Sequence, residues 1–126
     1  VLNEFGVFPE VINAELNKYL PFLATTKFLM AAVKTGMGRE QAHGIIKEHS
    51  VKAALNMREG RENNLIMALA NDPKFPLDEK TLNKLIENPI EFTGAASVQI
   101  QNVIKRINAI TSKNSAAAKY QPGAIR

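Results

Sequence analysis

The sequence predicts an all-α fold: a compact multi-helix domain of about six helices with an extended C-terminal tail. Three observations predict it. Apolar residues recur at three- and four-residue steps along most of the chain, the alternation of a half-buried strand is nearly absent, and glycines and prolines fall between the periodic runs. At 126 residues, with 45% hydrophobic and 22% charged side chains, the chain has the size and composition of one soluble domain able to bury a core.

The elements follow in order. Pro9 suits a first helical position, and the first helix runs from about there to Leu20 with Val11, Ile12, Leu16 and Tyr19 or Leu20 inward. Pro21 either starts a new helix or kinks a continuous one, because its ring removes an amide donor and crowds the preceding turn. The stretch PFLATTKFLMAAVKTG is apolar on two sides. At about 100° per residue, Phe22, Leu23, Leu29, Met30 and Val33 form one arc, and Ala24, Phe28, Ala31 and Ala32 a second, roughly opposite. Such a helix is expected between neighbours rather than on a surface. Thr25 lies at a seam between the arcs and Thr26 within the first, where a hydroxyl can bond a carbonyl one turn back. Gly36-Met37-Gly38 supplies the left-handed residue that ends the helix.

The next helix is expected from Arg39 to about Glu59, with Ala42, Ile45, Ile46, His49, Ala53 and Met57 inward and Gly60 closing it. A shorter one spans Glu62 to about Ala70, with Leu65, Ile66 and Leu69 inward; Asp72-Pro73 stops it, and PKFP reads as an extended connector. Asp78 is an N-cap, with Leu77 and Leu82 placed to close a hydrophobic staple across it. That helix carries Leu82, Leu85 and Ile86 and stops before Pro89. Thr93 is expected to cap the last long helix, about Gly94 to Thr111, whose stripe of Ala96, Ile100, Val103, Ile104, Ile107 and Ile110 is the cleanest in the chain. The tail ending in YQPGAIR is expected to be extended.

Composition narrows the function classes. There is no cysteine, which excludes disulfides, thiol chemistry and cysteine-held metals. No apolar run approaches the roughly 20 residues that cross a bilayer, and no signal peptide is recognisable, so the expectation is a cytoplasmic protein without a membrane partner. The first residue is Val1 rather than methionine, which suggests a processed or excised chain. The net charge of +4 invites a polyanion, but bases alternate with acids, as in Lys47-Glu48, Arg58-Glu59 and Glu79-Lys80. The densest basic pair is Lys105-Arg106 and there is no tryptophan, so no nucleic-acid partner is expected.

Candidate chemistry is sparse. Glu40 and His43 form a Glu-x-x-His pair, which carboxylate-bridged di-metal bundles use, but those need the pair twice and two further glutamates. His49 falls on the apolar stripe between Ile45 and Ala53, as a buried or partner-facing histidine does. No glycine-rich phosphate loop and no nucleophile elbow is present. The residues alone describe a helical domain without a self-contained active site.

The runs GVFPEVINAEL, LPFLATTKFLMAAVKTGMGREQAHGIIKEHS, ALNMREG, NDPKFPLD, NPIEFTGAA and the tail YQPGAI resemble the C-terminal region of the adenylosuccinate lyases, in order from Gly6 to Ile125. The resemblance implies membership of the fumarase/aspartase superfamily and a homotetramer built on a long-helix bundle. It implies elimination of fumarate from adenylosuccinate, giving AMP, and from the succinylated aminoimidazole carboxamide ribotide of purine biosynthesis, with no metal or organic cofactor. Residues 1–20 would then be a lead-in helix from the central bundle domain, and 21–126 the C-terminal domain. The family's mobile serine-bearing catalytic loop has no counterpart here, and neither histidine falls in a family catalytic motif. No catalytic, substrate-binding or metal residue is therefore assigned, and the fragment alone is expected to be inactive. In some relatives a glutamate stands where Thr26 does, which implies a polar pocket or interdomain edge. The alternative reading is an autonomous helical protein-interaction module, motivated by the doubly apolar helix.

Overall fold

Pro9 does open the first helix. In the computed structural model, which describes residues 5–121 and 123, Phe8 is extended and α1 spans Pro9–Leu23. The helix runs through Pro21, so the chain takes neither a fresh start nor a break there. The proline sits in the last turn, where the only hydrogen bond it forfeits is the one to the carbonyl of exposed Asn17, which water can satisfy. The interruption comes at Ala24, whose amide bonds back to Leu20 while its carbonyl accepts from Phe28, each at 3.0 Å. Helix α2, Thr25–Lys34, follows directly.

Two further helices are closed by glycine. At the end of α2, Gly36 (φ 101°) sends its amide to Val33 while Met37 reaches Ala32; at the end of α3, Arg39–Arg58, Gly60 (φ 83°) and Arg61 repeat the arrangement on Met57 and Asn56. These are paired Schellman bonds, and both need a residue in the left-handed region. Helix α4 spans Leu65–Ala70 and starts three residues later than periodicity implies. The cause is Asn63, whose side chain accepts from Leu65 N at 3.0 Å and donates to the Lys18 carbonyl of α1 at 2.9 Å, holding the backbone off the helical path. After α4 the chain does not go straight into an extended connector. Asp72 Oδ1 accepts from Lys74 N and the Phe75 amide bonds Asp72 O, making a tight turn. The chain then runs without regular structure to Asp78, itself extended, which accepts from Thr81 N at 2.8 Å and caps α5, Glu79–Ile86.

Residues 1–89 form one unit with its own core. Leu20, Ala24, Phe28 and Ala32 make a row at four-residue steps along α1 and α2, facing Ala42, Ile46 and Ala53 of α3. Leu65 and Leu69 of α4, Phe75 and Leu77 of the connector, and Leu82 of α5 complete it. Burial of both Leu77 and Leu82 is what the staple across Asp78 requires. The second arc is covered more fully than the first, however: Phe22 and Leu29 of the first arc are half-buried, and Leu23, Met30 and Val33 are exposed. Val11 and Ile12 of α1 are exposed as well, at 62% and 54%, with Tyr19 also open, so of the expected inward set only Leu20 is buried and Leu16 half-buried.

Residues 90–126 form a second unit. A 3₁₀ turn, Pro89–Thr93, leads to α6, Ala96–Lys113, and a single turn α7, Ser115–Ala118, lies where an extended tail is expected. Thr93 does not cap α6. Its hydroxyl turns back to Ile90 O at 2.7 Å, Gly94 takes φ 58°, and α6 starts from Ala95 without a side-chain cap. No residue of α6 is buried. The end of the tail, including Pro122 and Ile125, lies outside the described residues. All regular structure among the described residues is helical, seven α-helices and the 3₁₀ turn, as an all-α fold requires.

Candidate functional site

Both histidines stand on α3, six residues apart and therefore on different faces. His43 opens towards α2 and His49 towards the turn after α4, and the two environments differ.

Between α2 and α3 lies an open depression of about 320 Å³ lined by Thr25, Thr26, Leu29, His43, Ile46, Lys47 and Ser50. His43 and Lys47 share a face by their four-residue spacing, and Ser50 follows one turn on. Thr25 is engaged locally, its hydroxyl donating to the Phe22 carbonyl at 2.9 Å across the Ala24 joint. Thr26 is exposed at the rim rather than set into a core. Ser50 Oγ is shielded from solvent and makes no hydrogen bond among the described residues, a state that a bound water or ligand group would relieve. The depression offers hydroxyls, an imidazole and an ammonium and no carboxylate. It can donate hydrogen bonds to a polar or anionic group, but it holds no nucleophile paired with a base.

On the opposite side, His49 Nε2 and Asp72 Oδ2 lie 2.8 Å apart with side chains only 17% and 18% exposed. The hydrogen bond from His49, aided by that from Lys74 N, holds the Asp72 carboxyl below its ordinary range. The surrounding groove contains Ile45, Glu48, Lys52, Ala68, Asn71, Pro73 and Lys74 and no hydroxyl or thiol for the pair to activate. The pair joins α3 to the turn after α4. Glu48 is likewise held low by Lys52, one turn along α3 at 2.7 Å. Glu40 and His43 are both exposed on the first turns of α3, and no group of three or more metal-binding side chains forms among the described residues.

Sequence reasoning singled out Thr25, Thr26, His43 and His49; the structure brings the first three to one depression and sets His49 apart. It missed Asp72, legible only as a helix stop because its partner is 23 residues away, and Ser50, which no local pattern marks.

The class is thus an all-α helical domain, without an enclosed catalytic constellation among the described residues. The family description "Adenylosuccinate lyase C-terminus" matches residues 21–103, from the last turn of α1 into α6. The chain is 34% identical over 101 residues to adenylosuccinate lyase of Saccharomyces cerevisiae, covering 79% of this chain and 21% of that protein. It is 30% identical over 107 residues to the Schizosaccharomyces pombe protein of the same name, covering 84% and 22%. Against that of Schistosoma mansoni the figures are 32% over 97 residues, 75% and 20%. The chain belongs to the adenylosuccinate lyase family, through its C-terminal region, and spans about a fifth of the length of the relatives it matches.

Proposed function

We propose that this chain is the C-terminal part of an adenylosuccinate lyase, acting within a homotetrameric cytoplasmic enzyme of purine biosynthesis. Residues 1–20 serve as the lead-in segment from the central bundle domain, with helix α1 beginning at Pro9, and 21–126 as the C-terminal helical domain. The parent reaction breaks the C–N bond to a succinyl group and takes a proton from the adjacent carbon. This releases fumarate and leaves AMP from adenylosuccinate, or the aminoimidazole carboxamide ribotide from its succinylated form, with no metal or organic cofactor. The observation that carries the reading is the match of residues 21–103 to the lyase C-terminus, with relatives of that name at 30–34% identity.

The elimination needs a base for the carbon-bound proton and an acid for the leaving nitrogen, both within hydrogen-bond reach of one substrate. Among the described residues His49 is tied to Asp72, while His43 sits in an open depression without a carboxylate beside it. The acid and base of the reaction therefore come from the remainder of the parent enzyme, and this chain contributes packing surface and the α2–α3 edge. The test has two arms. Incubated alone with adenylosuccinate, the chain produces no AMP by absorbance; mixed with a yeast lyase truncated to lack its matching last fifth, it restores fumarate release. Turnover by the chain alone would overturn the division of labour, and failure to restore a truncated enzyme that binds the chain would overturn the assignment.

A further inference from the structure

The two units differ in charge. In residues 1–89 eleven bases balance eleven acids, whereas in 90–126 five bases stand against Glu91 alone, so the entire net charge of +4 lies on the second unit. Its main element, α6, has Lys105, Arg106 and Lys113 and no acid. Ala96, Ile100, Val103, Ile107 and Ile110 follow one another at four- and three-residue steps, the spacing of a coiled-coil seam. Every isoleucine and valine of the helix is between 41% and 64% exposed. In proteins most of a helix's stability comes from packing of its amphipathic face rather than from propensity. Arg106 and Lys113, seven residues apart, run along one edge of the stripe, and Lys105 lies on the far side.

We propose that α6 is one half of a helix–helix seam whose partner is an amphipathic α-helix carrying carboxylates beside a matching apolar stripe. The stripe supplies the contact and the Arg106–Lys113 edge selects the sign of the partner's charge. A second copy of α6 fits less well. Set antiparallel, two copies bring the two basic edges together, and set parallel they place Arg106 against Thr111 and leave Lys113 beyond the end of the facing helix, with no acid to meet either. A nucleic acid would neutralise the bases but leave the isoleucines uncovered, and α6 has no aromatic side chain for bases to stack on.

The experiment titrates the chain into two fluorescein-labelled synthetic helices with leucine seams at the spacing of α6, one with glutamates and one with lysines beside the seam. A labelled DNA duplex is titrated in parallel, and sedimentation reports self-association. The acidic helix binds at least about tenfold more tightly than the basic one, and the preference shrinks as salt rises. The pair Ile100→Ser and Ile107→Ser abolishes binding. The pair Arg106→Glu and Lys113→Glu, which leaves the seam intact, reverses the preference, so a serine pair that merely unwinds α6 does not decide the matter. Equal binding of the two helices, or a preference that the charge pair leaves unchanged, overturns the proposal. So does self-association through α6 without helix binding, or DNA binding that the serine pair leaves unchanged.

Discussion

Replacing Phe28 with alanine removes the largest fully buried side chain of the first unit. The row positions one turn before and one turn after it are Ala24 and Ala32, and of the α3 positions facing the row only Ile46 is larger than alanine. Alanines cannot change rotamer to fill the space, so the site collapses poorly and the cost falls at about 3–5 kcal/mol. A unit of this size has a total stability of about 4–13 kcal/mol, at roughly 0.05–0.15 kcal/mol per residue. The substitution thus removes a large part of it. Urea unfolding followed by far-ultraviolet circular dichroism reads the loss directly. With a slope of about 1.5 kcal/mol per molar urea, the midpoint drops by about 2–3 M while the slope stays constant. Met30→Ala, on the exposed arc of the same helix, moves the midpoint by less than about a third of that, since little apolar surface is uncovered. A loss at Phe28 below about 1.5 kcal/mol, or equal losses at the two positions, would refute the claim that the alanine-lined side of α2 is the packed one.

Acid should weaken the first unit through two carboxylates. His49 holds Asp72 below its ordinary range and Thr81 does the same for Asp78, so both groups stabilise the fold fully above the unfolded value of about 3.9. That contribution is lost as pH falls through the lower folded values, and urea midpoints measured down a pH series should fall less steeply in Asp72→Asn than in the parent chain; identical acid limbs would contradict the pairing. At Gly60, alanine costs about 1–2 kcal/mol, read as a lower thermal midpoint, because the backbone there is left-handed. An added methyl meets nothing within 4 Å, so no part of that loss is steric.

The elements the sequence shows clearly are those whose signals are local. The stripe of α3, the cap at Asp78, the staple of Leu77 and Leu82 and the glycines at 36 and 60 each depend on residues a turn or two apart, and each stands as the spacing implies. What failed depended on which face another element would cover. Val11, Ile12, Leu23, Met30, Val33 and the isoleucines and valines of α6 are apolar at helical spacing and yet exposed. Periodicity reports that a face is fit for burial and does not report what lies against it. Thr93 failed for a different reason, since a threonine hydroxyl can bond backwards as well as forwards. The candidate site was half legible. His43 and Thr26 carry side chains that attract notice, but their meeting across α2 and α3, the buried hydroxyl of Ser50 and the 23-residue span from His49 to Asp72 are products of the tertiary fold.

The charge balance of the first unit has a colloidal consequence. Eleven bases and eleven acids leave residues 1–89 at their isoelectric condition near neutral pH, where no long-range repulsion keeps like bodies apart. The net positive charge of this chain resides in residues 90–126. Any partner that neutralises residues 90–126 also removes the net charge of this chain, so docking there would prime the neutral, apolar-faced first unit for further assembly.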